Sequence, residues 1–273
     1  MITILSSKGA PGATTAVAAL TCGWPGPVVI ADTDPTGGDL TVGWLGQWLV
    51  DGHFHRDHGV LSFVTSTRHE SPAGPLAVGP HLQQVPVAAH ARILAGLSNP
   101  AQQVSIGPSG WQRLASALAA RAGQGCDVLV DAGRYGPTTP LPLLAAADLV
   151  LVAVRPRIRH ALGAGPVLAG LRRLVEPARL GLAICAATPA GSRDIQRALG
   201  MTPGLQLPHD VATAAALSDG DDAGHPPRRT PLLVAAHHEA TRLAAALNDT
   251  ATECGHRDTP AEHQVPAAVG SGS

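Results

Sequence analysis

The chain has 273 residues, 45% hydrophobic, 14% charged and only 3% aromatic, with a formal net charge of −1. This composition describes a globular protein whose core must be built from Ala, Val, Leu and Ile, and its near-neutral charge does not suggest a dedicated nucleic-acid binder. Cys22, Cys126, Cys185 and Cys254 lie far apart with no C-x-x-C pair, against a zinc site or a disulfide framework and in keeping with a reducing cytoplasm. The start lacks the charged-then-apolar pattern of a signal peptide. No uncharged apolar run approaches the roughly 20 residues of a membrane span.

In chain order, apolar runs bounded by Gly, Pro or Asp predict strands at Ile2–Leu5, Val28–Ala31, Val128–Val130, Leu149–Val154 and Leu180–Ala187, with Gln84–Val87 and Leu205–Pro208 as further candidates. Ala-rich stretches between them predict helices over Thr14–Cys22, Gly110–Ala122, Leu141–Ala147, Ala164–Val175 and Ser192–Leu199. Val211–Ser218 and Pro231–Asn248 close the chain as helices, the latter with an apolar stripe of Leu232, Ala236, Ala240, Leu243 and Leu247. Residues 51–83, rich in His, Pro and Gly, read as an irregular surface excursion. From about Asp249 the chain is polar and reads as a disordered tail, leaving one domain over residues 1–248. Continuous apolar strands alternating with helices imply an α/β fold with a mostly parallel sheet covered on both faces.

Three segments carry chemistry. In the first, Ser6-Ser7-Lys8-Gly9-Ala10-Pro11-Gly12-Ala13-Thr14-Thr15 joins a strand to a helix, where free backbone N–H groups and the helix dipole attract phosphate. Lys8 is the only lysine; every other one of the 19 Lys and Arg residues is arginine. A compact ammonium suits a tight phosphate loop in a way that a wide guanidinium does not. Gly9 and Gly12 permit close backbone approach, and Thr14 can place its hydroxyl on Mg²⁺. In the second, the run Val28–Ala31 ends in Asp32-Thr33-Asp34-Pro35. Two carboxylates spaced by two residues on a strand point the same way and can hold Mg²⁺ through water or orient an attacking water. In the third, Asp127-Val128-Leu129-Val130-Asp131 has the shape of a strand whose final Asp engages a metal.

Together these segments resemble the MinD/ParA family of deviant-Walker P-loop ATPases. That family's loop reads K-G-G-x-G-K-T-T where this chain has K-G-A-P-G-A-T-T, and its D-x-D-P motif matches Asp32-Thr33-Asp34-Pro35 with Gly37 following. The resemblance continues through Val152-Ala153-Val154-Arg155-Pro156, Asp194–Gly200 and Leu207-Pro208-His209-Asp210, and covers roughly residues 1–248. Gly38-Asp39-Leu40 looks most like the TadZ/CpaE branch, which helps position pilus or secretion machinery. The resemblance implies a three-layer P-loop NTPase fold, an ATP or ADP cofactor with Mg²⁺, and a homodimer. Lys8 would then reach the phosphates of the partner subunit. Gly9, Ala10, Pro11, Gly12, Ala13, Thr14 and Thr15 would cradle the phosphates of their own subunit. Thr14 would ligate Mg²⁺ with Asp32 and Asp131 in its outer shell, Asp34 would orient the hydrolytic water, and Pro208 and Asp210 would lie against the base. Two departures point to weak or absent ATPase activity: Ala13 stands where the loop lysine would be, and Ala186, Ala187 and Thr188 stand where the family offers an Asn to the base.

Two motifs point elsewhere. His53-Phe54-His55-Arg56-Asp57-His58 matches the H-x-H-x-D-H pattern of zinc hydrolases, but the strand–loop–helix–strand start disagrees with that fold, which needs antiparallel strands first. Arg155, Arg157 and Arg159 alternate and can touch DNA phosphate. The expectation is therefore a cytoplasmic, dimeric positioning or regulatory factor for a pilus or secretion assembly, recruited to a membrane or cell pole by its partner. The alternatives are a DNA-partition ATPase and a scaffold that binds no nucleotide.

Overall fold

The computed structural model describes residues 1–9, 11–221 and 229–255, with side chains described as far as 249. The strands are β1 (Ile2–Ser6), β2 (Val28–Asp32), β3 (Gln83–Gln84), β4 (Ala91–Leu94), β5 (Asp127–Arg134), β6 (Leu149–Val154), β7 (Leu180–Ala187) and β8 (Pro203–Pro208). Among the described residues they form one sheet in the order β3-β4-β2-β5-β1-β6-β7-β8. Every neighbouring pair is parallel except β3 with β4 at the edge.

The helices are α1 (Ala13–Gly23), α2 (Gly46–Val50), α3 (Val60–Ser66), α4 (Gln103–Ala122), α5 (Leu141–Ala145), α6 (Ile158–Leu171), α7 (Pro189–Leu199), α8 (Val211–Ser218) and α9 (Pro231–Gly255). Strand alternation sorts the core into two layers. Ile2, Ile4, Val28, Ile30, Leu129 and Leu151 face α1, α8 and α9. Val29, Val128, Val130, Val150 and Val152 face α3 to α7. With so few aromatics, close approach of small residues replaces bulk. A Cβ on Gly23, at the end of α1, would sit 2.7 Å from the His237 backbone of α9. This is the three-layer α/β architecture expected from the alternating pattern.

Several elements differ from the expectation. β4, Ala-Arg-Ile-Leu, is too short to signal itself and exists because it pairs with β2. Residues 51–83 are only in part the expected irregular excursion: they also contain α3, whose Val60, Phe63 and Val64 are buried against the sheet. That Val/Ser/Thr-rich segment has poor helix propensity, and tertiary burial overrides it. Gln84–Val87 contributes only its first residue to a strand. Helix α6 starts at Ile158, earlier than expected, because its first turns expose Ile158 and Leu162 and so carry no apolar period. The stripe on α9 packs as expected, with Leu232, Ala236, Ala240 and Leu243 buried. This helix continues to Gly255, and the remaining tail, 256–273, lies outside the described residues. No helix among the described residues is long and apolar enough to cross a membrane.

Candidate functional site

The carboxyl ends of β1, β2 and β5 open onto a cavity of about 460 Å³ lined by Gly12, Ala13, Thr14, Asp34, Asp39 and Arg134, among others. The size suits a small-molecule ligand. Its floor is the loop between β1 and α1. Gly9 (φ +71°) and Gly12 (φ +106°) both occupy left-handed backbone conformations that favour glycine. Gly12 caps α1 through its carbonyl, which accepts from the Ala16 N–H at 2.8 Å. No side chain caps that end of the helix, so its first N–H groups are available to an anion. Ala10 lies outside the described residues. Ala13 is the first residue of α1 and is 6% exposed.

Beneath the cavity lie two buried acids. Asp32 and Asp131 are register partners on adjacent strands, so their carboxyl groups share one face about a strand spacing apart. Burial, then the charge of Asp131, raises the Asp32 pKa well above the ordinary carboxylate range. Burial raises Asp131 to about 6, against the Thr14 hydroxyl and the Gly133 N–H, which favour its ionised form. The Gly133 N–H donates to Asp131 Oδ1 at 3.0 Å, and the Leu40 N–H donates to Asp32 Oδ2 at 3.1 Å. Asp32 Oδ1 and Asp131 Oδ2 are buried without a hydrogen bond of normal geometry. Two orphaned carboxylate oxygens beside a threonine hydroxyl fit a hydrated divalent cation, which would relieve both the desolvation and the mutual repulsion.

Asp34 lies near that pair, and its charge adds to the upward shift of both acids. Strand β2 ends at Asp32, so strand alternation does not govern residue 34. Its Oδ1 accepts from the Thr36 N–H at 2.8 Å and the Thr36 hydroxyl at 2.6 Å, which fixes the carboxylate on the cavity wall. Gly133 makes room for it: a Cβ there would lie 2.2 Å from Asp34 Cγ.

The remaining expected residues sit around this centre. Lys8 is exposed, and its stem runs beside Gly163 of α6, outside the cavity lining. Thr15, Pro208 and Asp210 line a small neighbouring recess of about 40 Å³ that shares Pro11 and Gly12 with the cavity and is also walled by Arg155 and Cys185. Asp210 caps α8: its Oδ1 accepts from the Thr213 N–H at 3.1 Å and its Oδ2 from the Thr213 hydroxyl at 2.8 Å. Burial is the largest single influence and raises its pKa, but the hydrogen bonds from Thr213, Leu232 and Thr230 together outweigh it and hold the group below the ordinary value. Ala186, where an Asn would face a base, has a left-handed φ of 54°.

The other two motifs disperse. His53 packs edge-on against Trp48, while His58 faces His81 with ring centroids 6.0 Å apart. Among the described residues no three His, Cys, Asp or Glu side chains are placed to hold a metal ion. Of the three alternating arginines, Arg155 turns inward, its Nε donating to the Pro11 carbonyl at 3.1 Å, while Arg157 and Arg159 are exposed. Sequence reasoning missed Arg134, Asp39 and the loop contact of Arg155. The only hint was that Arg134 follows Asp131-Ala132-Gly133 directly.

No family model and no curated protein matches the chain by sequence. Solved structures do match. A ParA family ATPase from Chlorobium tepidum TLS superposes with a TM-score of 0.69 at 16% identity, covering 88% of this chain and 98% of that one. The MinC:MinD cell division protein complex of Aquifex aeolicus gives 0.66 at 16% identity, covering 89% and 95%. The septum site-determining protein MinD of Pyrococcus horikoshii OT3, complexed with Mg-ADP, gives 0.63 at 17% identity, covering 89% and 94%. Across nearly its whole described length, the chain has the fold of the MinD/ParA P-loop ATPases.

Proposed function

We propose that the chain binds an adenine nucleotide with Mg²⁺ in the cavity over α1, and that it acts as a nucleotide-dependent homodimer. In this role it positions or regulates a pilus or secretion assembly, with weak or absent ATP hydrolysis. The observation that carries the proposal is the convergence of three separate segments. The uncapped start of α1, the Thr14 hydroxyl and the register-paired Asp32 and Asp131 meet under one cavity of ligand size. Thr14 would hold the cation, with Asp32 and Asp131 acting on its bound waters, and the cation would screen the phosphates. Asp34, fixed by Thr36, would orient a water. The neighbour complexed with Mg-ADP lends the same support by analogy. The pilus or secretion role rests only on the likeness of Gly38-Asp39-Leu40 to the TadZ/CpaE branch.

The outward course of Lys8 suits a role across a dimer interface. Calorimetry with Mg-ATP and Mg-ADP is expected to show micromolar binding by the wild type. Lys8→Ala is expected to weaken ATP binding about tenfold, the effect of one charge-assisted contact, and to abolish ATP-dependent dimerisation in sedimentation. No heat at high nucleotide concentration would leave the scaffold alternative standing. Salt-sensitive DNA binding that requires ATP would favour the partition alternative.

A further inference from the structure

We propose that Arg134 supplies, from the end of β5, the phosphate-binding charge that the loop gives up at Ala13. This rests on the nucleotide function above and names the residue that completes its charge balance. The cavity is short of positive charge. Asp34 and Asp39 stand on its wall, Asp32 and Asp131 lie beneath, and Lys8 runs outside the lining. Among the described lining residues Arg134 is the only cation. One divalent ion cannot by itself balance a triphosphate set against this many carboxylates.

The backbone shows how Arg134 comes to face the cavity. Along β1 and β5, Ile4 pairs with Asp131 but Ser6 pairs with Arg134, so β5 carries one extra residue there. That residue forms a bulge at Ala132-Gly133, with Gly133 at φ +64°. In a regular strand, residues 131 and 134 would point to opposite faces. The bulge shifts the alternation by one and sets the Arg134 side chain on the same side as Asp131, beside the phosphate loop.

The guanidinium is also available. Arg134 is exposed, and its Nη2 donates to the Gly9 carbonyl at 3.5 Å, the far limit of a hydrogen bond. It takes part in none of the ion pairs among the described residues. Its other N–H donors form a planar fork that matches phosphate oxygens. Arg155, by contrast, is half-buried, bonds the Pro11 carbonyl at 3.1 Å and walls the small recess, so it frames the loop from the far side.

The test is calorimetry with Mg-ATP, Mg-ADP and AMP on the wild type, Arg134→Ala, Arg134→Lys and the double variant Arg134→Ala/Ala13→Lys. Arg134→Ala is expected to weaken Mg-ATP about 10- to 100-fold, the worth of a charge-assisted forked contact, while AMP binding and the nucleotide-free Tm hold. Arg134→Lys should recover part of the loss and the double variant most of it. If the wild type binds Mg-ATP and Arg134→Ala binds it within twofold, the proposal is overturned and the nucleotide function stands. Equal losses for ATP and AMP, or a lowered Tm, would mark a structural role and also overturn it. A wild type that binds no nucleotide removes the function and the proposal together.

Discussion

Ala13→Lys is expected to raise ATP turnover about 100-fold, the rate worth of one preorganised charge on a developing phosphate charge. Ala13 begins α1, lines the cavity and is 6% exposed, so a longer side chain there projects toward the bound phosphates. Without nucleotide the same change should lower stability, because a cation then sits at the positive end of the helix dipole in a nearly buried position. Bound ATP should reverse that sign through mass action. Phosphate release under saturating Mg-ATP and thermal melts with and without nucleotide measure both effects. Tighter binding with no gain in turnover would mean that the wall holding Asp34 does not position a water, and that the protein works through binding alone.

Asp131→Asn is expected to stabilise the fold near neutral pH and to impair Mg²⁺-dependent nucleotide binding. The Asp131 carboxyl rises from the ordinary 3.8 to about 6, chiefly through burial. A raised folded pKa means that the native state holds the proton more tightly. The corresponding stability is fully present below about pH 4 and is lost as pH climbs through 6. The difference amounts to about 3 kcal/mol in this fully buried group. Asparagine removes the charge yet still accepts the Gly133 N–H, and it lowers the repulsion felt by Asp32. Urea midpoints between pH 4 and 8 should therefore fall steeply with rising pH in the wild type and more gently in the variant, with a gain of about 1–3 kcal/mol at pH 7. Parallel slopes would show that the acid pair is not strained. A bound cation should flatten the wild-type slope as well, because it favours the ionised forms.

Much of this was legible along the chain. The five central strands were visible because a strand buried on both faces must be continuously apolar, and Leu149–Val154 and Leu180–Ala187 match their observed bounds. The β8 edge was anticipated at Leu205–Pro208, but the β3–β4 side of the sheet was not legible. β4 is four residues long and α3 is made of residues that do not favour helix, so only their neighbours give them structure. In the site, Lys8, Gly9, Gly12, Thr14, Asp32, Asp34 and Asp131 stood out by type and spacing, and all but Lys8 fall at or just beneath the cavity. The spacing argument joined Asp32 to Asp34, whose charge does act on Asp32, but it did not give the cross-strand partner. The partner that Asp32 meets across the sheet is Asp131, 99 positions further along the chain and adjacent only through strand register.

Sequence by itself determined the α/β layering, the glycine-shaped loop before α1 and an uncharged alanine at position 13 of that loop. Each of these follows from hydrophobic period, allowed backbone angles or side-chain chemistry, which are local properties. Tertiary structure alone decided that Asp32 and Asp131 share a face, that Lys8 runs along α6, that Asp210 is engaged as a helix cap, and that a bulge in β5 turns Arg134 toward the cavity. These depend on strand order and register, which arise when distant segments pair and leave no signature in the spacing of residues along one strand.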